Sequence, residues 1–555
     1  MSDIVGTHYA APVQDKDLSE AEKGDTSSYP PSSAIKANVA DVSANAYEYD
    51  PFSAQAEENA GDFVDFRSMG WVQAGLVATA ENIAVGVLSF PSVFLRLGIV
   101  GGLIATIGLA VLAYITCWIM IDFKMRHMGV MHFGDAGGVL FGPWARRLFG
   151  TGMVLKSIGL AGSHVLVGRQ AINTISSYAI CSVWYALIIA AVSVLMSYSR
   201  EFSKLAVLSW VSVSSILIAS MITIVGTGAQ DDSNLIEDGV PIEWHAFPTD
   251  PSLMNVIGAL TNIVFAYGGN MAVFSFCSEM RNPNDFKKSF VITQGLGAVV
   301  YCITGSLVYV FGGQYVSSPA ITMTTRPVRI TGYSFALVTI LISGVVGANV
   351  GAKYLYVNTF RNSKLLTSNN IRAKLGWIGI VIFMWTAAFI LAELIPFFNQ
   401  LLTIVSSLFS VWFSFGLCGV IWFYNVHPYF AGPGEERNLD GPWKKIFFGC
   451  AVLSIILSIA ITPLGLYSAI EGIRDGVGST YISRRKAVLI HSHSTLRVLS
   501  PTHSHAHKLR KARAITSTTC ATHNHTSHFK IMLALPTPSS YRASEPLDTA
   551  ICTVC

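Results

Sequence analysis

The chain has 555 residues, 52% hydrophobic and only 13% charged, whereas ordinary globular proteins are about 25% charged. So few charges cannot cover a soluble surface, and the apolar residues come in long blocks, which describes a polytopic membrane protein. The arithmetic excludes a disordered scaffold, a disulfide-rich secreted domain and a nucleic-acid binder. The net charge of +4 conceals a polar tail at each end of a weakly basic core.

Residues 1–66 carry 13 acids and 3 bases. This acidic, Ser/Pro-containing stretch reads as a disordered cytosolic tail. Its start lacks a basic region followed by an apolar run, so no cleavable signal peptide is expected.

A spanning helix needs about 20 mainly apolar residues. The chain offers eleven candidates, near 71–96, 99–121, 148–172, 183–198, 205–227, 253–278, 289–312, 332–356, 375–393, 398–423 and 446–469. Lys and Arg stay on the cytoplasmic side of such helices. With the N-terminus inside, the inner loops hold 16 basic residues and the outer loops 2. The odd count then places the C-terminus outside or in a lumen.

Five cysteines lie inside apolar runs, Cys181 lies at the edge of one, and three are in the C-terminal tail. No CxxC pair is present, so they read as small apolar fillers. Residues 483–555 read as a basic, His-rich, low-complexity tail, disordered or spurious, with no assigned function. Its HSHAH stretch at 503–507 leaves metal binding open there as a composition-based reading.

Two predicted helices are interrupted near mid-membrane. In the first, Gly86, Ser89 and Pro91 follow Glu81 and Asn82. In the sixth, Gly268, Gly269 and Asn270 fall at the same depth. Five helices separate the breaks, so the second half enters inverted. This is the pattern of an inverted repeat with substrate at the midplane between two broken helices. Free N–H groups after the first break suit a carboxylate. Free carbonyls near Ala266 and Tyr267 suit an ammonium group. Together they describe a free α-amino acid.

Ionisable residues deep in a membrane are expensive and are candidates for function. Glu81 lies about ten residues into the first span, ~15 Å along its axis and so at the midplane. It reads as a proton carrier, a brace for the unwound segment, or a carboxylate paired with Lys156 or a helix-end amide. Lys156 and His164 are eight residues apart in the third span and share roughly one face. His164 titrates nearest neutral pH, so it reads as a proton carrier or a hydrogen-bonded structural histidine. Arg96, Arg169, Glu279, Lys353 and Glu393 lie nearer the surfaces, where snorkelling explains them. No Walker loop, HExxH, GxSxG or metal-spaced cluster occurs in the core, so no enzyme and no cofactor are expected. GGVLFG at 137–142 reads as a turn.

The stretches ENIAVGVLSFP (81–91), GSHVLVG (162–168) and FAYGGNMAVFSFCSEMRNPNDFKKS (265–289) resemble the amino acid/auxin permease family. The long acidic N-terminus and third span are similar to fungal neutral amino acid permeases of the methyltryptophan-resistance type. The resemblance covers about 67–482. It implies an all-α, LeuT-like fold of two inverted five-helix repeats plus one extra helix. It also implies secondary active transport of amino acids, usually with protons.

Carried over by motif, the carboxylate-binding stretch falls on Ala84, Val85, Gly86, Val87 and Leu88. The second binding stretch falls on Ala266, Tyr267, Gly268, Gly269 and Asn270. Ala84 replaces the first glycine of a frequent Gly-x-Gly pattern. Ser343 is the nearest equivalent of a hydroxyl that helps hold sodium in some relatives.

The expectation is a proton-coupled symporter of neutral aliphatic and aromatic amino acids in the plasma membrane, with Glu81, His164 and Lys156 as coupling candidates. Sodium is the alternative ion. A vacuolar exporter, or a sensor signalling through the N-terminal tail, is the alternative function.

Overall fold

The computed structural model describes residues 66–235, 240–248, 251–426 and 442–498, apart from positions 362, 364 and 396. The predicted N-terminal tail and most of the C-terminal one lie outside the described residues. In chain order the α-helices are α1 (Trp71–Asn82), α2 (Phe90–Arg126), α3 (Phe133–Phe141), α4 (Pro143–Ile175), α5 (Ser182–Met196) and α6 (Phe202–Gly228). Then follow α7 (Leu253–Ala266), α8 (Val273–Glu279), α9 (Phe286–Gly312), α10 (Arg326–Phe360), α11 (Ile371–Leu394), α12 (Phe398–Val405), α13 (Leu417–Val426) and α14 (Pro442–Val498). Two π-helical turns, Ser406–Ser410 and Trp412–Gly416, lie between α12 and α13.

Among the described residues, eight helical stretches are long and apolar enough to cross a membrane. The sequence suggested eleven spans, and three local causes account for the difference. Trp71–Arg126 counts as one stretch, although Gly98 breaks it at φ 70° and ψ 172°. A Cβ at that position would lie 2.6 Å from the Ala246 carbonyl oxygen. The N–H groups of Ile99 and Val100, freed by the break, donate to His245 and Ala246 at 3.2 and 3.0 Å. Helix α4 is diluted by Lys156, His164 and the arginines at its ends. Helix α5 is apolar but only 15 residues long.

Large apolar side chains point outward along these helices, including Ile104, Leu195, Val207, Leu375 and Ile456, each more than half exposed. A soluble monomer does not present such a surface, so this is the lipid-facing shell. Inside, α10 packs closely on α4. A Cβ at Gly347 would come within 2.3 Å of Leu160, and one at Gly351 within 2.6 Å of Ser157. Small residues that let backbones approach are the usual basis of packing between membrane helices.

Three sequence readings change here. Residues 137–141 belong to helix α3, and the turn comes at Gly142, at φ 85°. Cβ-less Gly134 and Gly137 let α3 sit against Tyr354 and Phe149, a tertiary contact that local composition cannot show. Helix α14 continues to Val498, so position 483 falls inside a helix. The near-surface charges do not all snorkel. Glu279 and Lys353 are 0% and 2% exposed and pair with each other, and Arg169 meets Glu393 at 2.7 Å.

Candidate functional site

Helix α1 stops at Asn82, and a 3₁₀ turn, Val85–Ser89, leads into α2. Pro91 sits in the first turn of α2, where its missing N–H costs nothing. The Tyr301 hydroxyl donates to the freed Asn82 carbonyl at 2.5 Å. Tyr301 also stacks on Phe90 with ring centres 4.1 Å apart. One side chain of α9 thus grips both edges of the break.

Helix α7 stops at Ala266, and a 3₁₀ turn, Gly268–Ala272, leads into α8. The two breaks touch: the Gly269 N–H donates to the Asn82 side-chain oxygen at 3.1 Å. A Cβ on Gly269 would lie 2.4 Å from that oxygen, so the approach requires glycine. The Gly268 carbonyl accepts a hydrogen bond from the Lys156 ammonium.

A cavity of about 20 Å³ lies at this junction, lined by Glu81, Asn82, Ala84, Gly86, Lys156, Leu160, His164, Phe265, Ala266, Gly268 and Gly269. That is room for about one water. Lys156, Leu160 and His164 are spaced by four along one face of α4. His164 Nδ1 lies 2.8 Å from the Leu160 carbonyl. A carbonyl only accepts, so Nδ1 carries the proton there. Neither His164 Nε2 nor either oxygen of Glu81 has a hydrogen-bond partner in the protein. Glu81 therefore makes no hydrogen bond to Lys156 or to a helix-end amide, although the two charges act on each other across the cavity.

The cavity thus gathers Glu81, Ala84, Gly86, Lys156, His164, Ala266, Gly268 and Gly269. Val85 contributes the first residue of the 3₁₀ turn. Val87 and Leu88 are fully buried but do not line the cavity. Tyr267 is also buried off the cavity, edge-on to Tyr301 at 5.6 Å. The Asn270 amide points elsewhere, donating to the Ala113 carbonyl, the Thr116 hydroxyl and the Ser414 carbonyl at 3.1, 2.8 and 3.1 Å. It braces the second break rather than facing the cavity. Ser343 is buried in α10 with its hydroxyl unpartnered, away from the cavity lining.

Asn82, Leu160 and Phe265 complete the lining without having been singled out as binding residues. Asn82 was legible, as a polar residue beside a break at mid-membrane depth. Leu160 and Phe265 carry no sequence signal apart from their neighbours. A second cavity, about 340 Å³, is lined by Arg96, Asn255, Asn399, Gln400, Thr403 and Glu471 among others. Among the described residues, no group of three or more His, Cys, Asp or Glu is placed to hold a metal.

The family profile described as "Transmembrane amino acid transporter protein" matches residues 67–464. The N amino acid transport system protein of Neurospora crassa is 32% identical over 415 residues, covering 74% of this chain and 86% of the relative. A transmembrane transporter of Gibberella moniliformis is 26% identical over 425 residues, covering 76% and 88%. Vacuolar amino acid transporter 4 of Saccharomyces cerevisiae is 21% identical over 252 residues, covering 44% and 34%. With these matches and its lipid-facing helices, the chain is an integral multi-pass membrane transporter rather than an enzyme, and it belongs to the transmembrane amino acid transporter protein family.

Proposed function

We propose that the protein is a proton-coupled symporter of neutral aliphatic and aromatic amino acids, working by alternating access. The observation that carries this reading is the junction of two broken helices at one buried cavity. The substrate carboxylate takes the N–H groups of Val85 and Gly86, which open the 3₁₀ turn leading into α2. The substrate ammonium takes the carbonyls where α7 ends, at Ala266 and Gly268. Both half-helix ends are uncharged, so they recognise the backbone of any α-amino acid. The surrounding Leu160, Phe265 and Ala266 favour a neutral side chain.

Glu81 and His164 are the proton carriers of this scheme. Each is buried at the cavity with an acceptor atom that no protein group satisfies. A proton arriving with substrate is taken first at the unpartnered Nε2 of His164, and Glu81 takes it when no cation faces its carboxylate. Lys156 is the third ionisable group of the site. Sodium coupling would instead use the region of Ser343.

The eight apolar stretches become eleven passes when the first is divided at Gly98 and α4 and α5 are included. Eleven passes fit a LeuT-like pair of inverted five-helix repeats plus one helix. The N-terminus is then cytoplasmic and the C-terminus outside or lumenal. The plasma membrane is the proposed site, and a fluorescent fusion separates it from the vacuole.

Uptake of labelled leucine into proteoliposomes tests the coupling. Accumulation driven by an inward proton gradient and abolished by a protonophore is expected. Accumulation driven only by sodium would overturn the proton assignment.

A further inference from the structure

Lys156 already does what the substrate is expected to do. Its ammonium, on a side chain only 3% exposed, donates to the Gly268 carbonyl. That carbonyl follows the last turn of α7, where the negative end of the half-helix collects. It is the same group that the proposed function assigns to the substrate's ammonium.

The carbonyl oxygen has two lone pairs, but the space beside it is taken. The lysine Nζ and Cε lie 3.3 and 3.6 Å from the point where a Cβ on Gly268 would sit. The cavity alongside holds only about one water. A second ammonium reaches Gly268 only when Lys156 leaves. A destination lies in the same cavity. Both oxygens of Glu81 line it without a protein partner, and a buried carboxylate in that condition is strongly disfavoured. The flexible four-carbon stem of lysine permits such a move.

We propose that Lys156 competes with the substrate's α-ammonium for the Gly268 carbonyl, and that loading transfers it to Glu81. This rests on the amino acid reading of the site. It makes Lys156 a specificity-determining residue, because the site recognises the amine by exchange. A ligand that brings its own ammonium replaces the lysine at the carbonyl. A carboxylic acid without an amine leaves Lys156 in place and gains nothing there. The competing view is a permanent clamp joining α4 to the second break.

Calorimetric binding of leucine and of 4-methylpentanoate, its amine-free analogue, separates the two views. The full chain in lipid nanodiscs is compared with Lys156→Met, which keeps the length and loses the donor. Removing a charged competitor should tighten leucine binding roughly tenfold. Binding of 4-methylpentanoate should stay the same or weaken. Equal or weaker leucine binding by Lys156→Met, with the wild type binding normally, would overturn the competition and leave the site reading standing. A wild type that binds no amino acid would bring down both. If Lys156→Met does not fold, a structure of the wild type with leucine decides. Lys156 on Glu81 is the expected result, and Lys156 still on Gly268 beside bound leucine overturns the proposal.

Discussion

Substituting Gly86 gives the sharpest test of where the substrate lies. A Cβ there would sit 3.5 Å from the Ala266 Cβ, an ordinary van der Waals separation, so Gly86→Ala should fold and retain transport. Gly86→Leu adds three more carbons beside a cavity of about 20 Å³, several times more than it can hold. The isobutyl group must either occupy the junction or push the two breaks apart. Overpacking of this kind costs ~1–3 kcal/mol. Placed on binding, that is a loss of roughly 5- to 150-fold in affinity. The assay is labelled leucine uptake normalised to monodisperse protein, with Gly86→Ala as the folding control. Wild-type uptake by Gly86→Leu would refute the assignment of the junction as the binding site.

Other predictions follow from particular contacts. The buried Glu279–Lys353 pair is reinforced by the Phe202 N–H donating to Glu279 at 2.8 Å. Glu279→Gln or Lys353→Met alone should destabilise by about 3–5 kcal/mol, and the double variant should recover much of it. Additive losses in a thermal double-variant cycle would contradict the pairing. Asn270→Ala should cost ~1–3 kcal/mol by stranding buried acceptors, with leucine affinity changed only a few-fold; collapse of affinity at unchanged stability would place its side chain in the site. His132, in the loop before α3, is buried, and that burial pushes its pKa from 6.5 down to about 3. Below pH 6.5 the unfolded chain takes up a proton that the folded one refuses, so stability falls with acidity in that window. Between pH 7 and pH 5 the loss is about 2 kcal/mol, and melting of His132→Gln at the two pH values should lack it.

The helix breaks were legible because Gly, Pro and Asn are conspicuous in an apolar stretch. Depth along the helix then placed Glu81 at the midplane, and spacing put Lys156 and His164 on one face. What was not legible depends on partners far away in sequence. Asn270 directly follows Gly268 and Gly269, yet its amide is claimed by Ala113, Thr116 and Ser414. Lys353 and Glu279 looked like separate snorkelling charges because nothing local shows that α10 brings one to the other. The Lys156 contact with Gly268 likewise needs the bundle assembled. The sequence marked spans at α4 and α5, although one is diluted by Lys156 and His164 and the other is only 15 residues long.

The central claim is that an amino acid is held between the two helix breaks. A cryo-electron microscopy structure of the full chain in nanodiscs with saturating leucine tests it most directly. The account predicts leucine density with its carboxylate at the N–H groups of Val85 and Gly86 and its ammonium at the Gly268 carbonyl. Leucine seated instead in the larger cavity beside Arg96 and Glu471, with the junction unchanged, would contradict it.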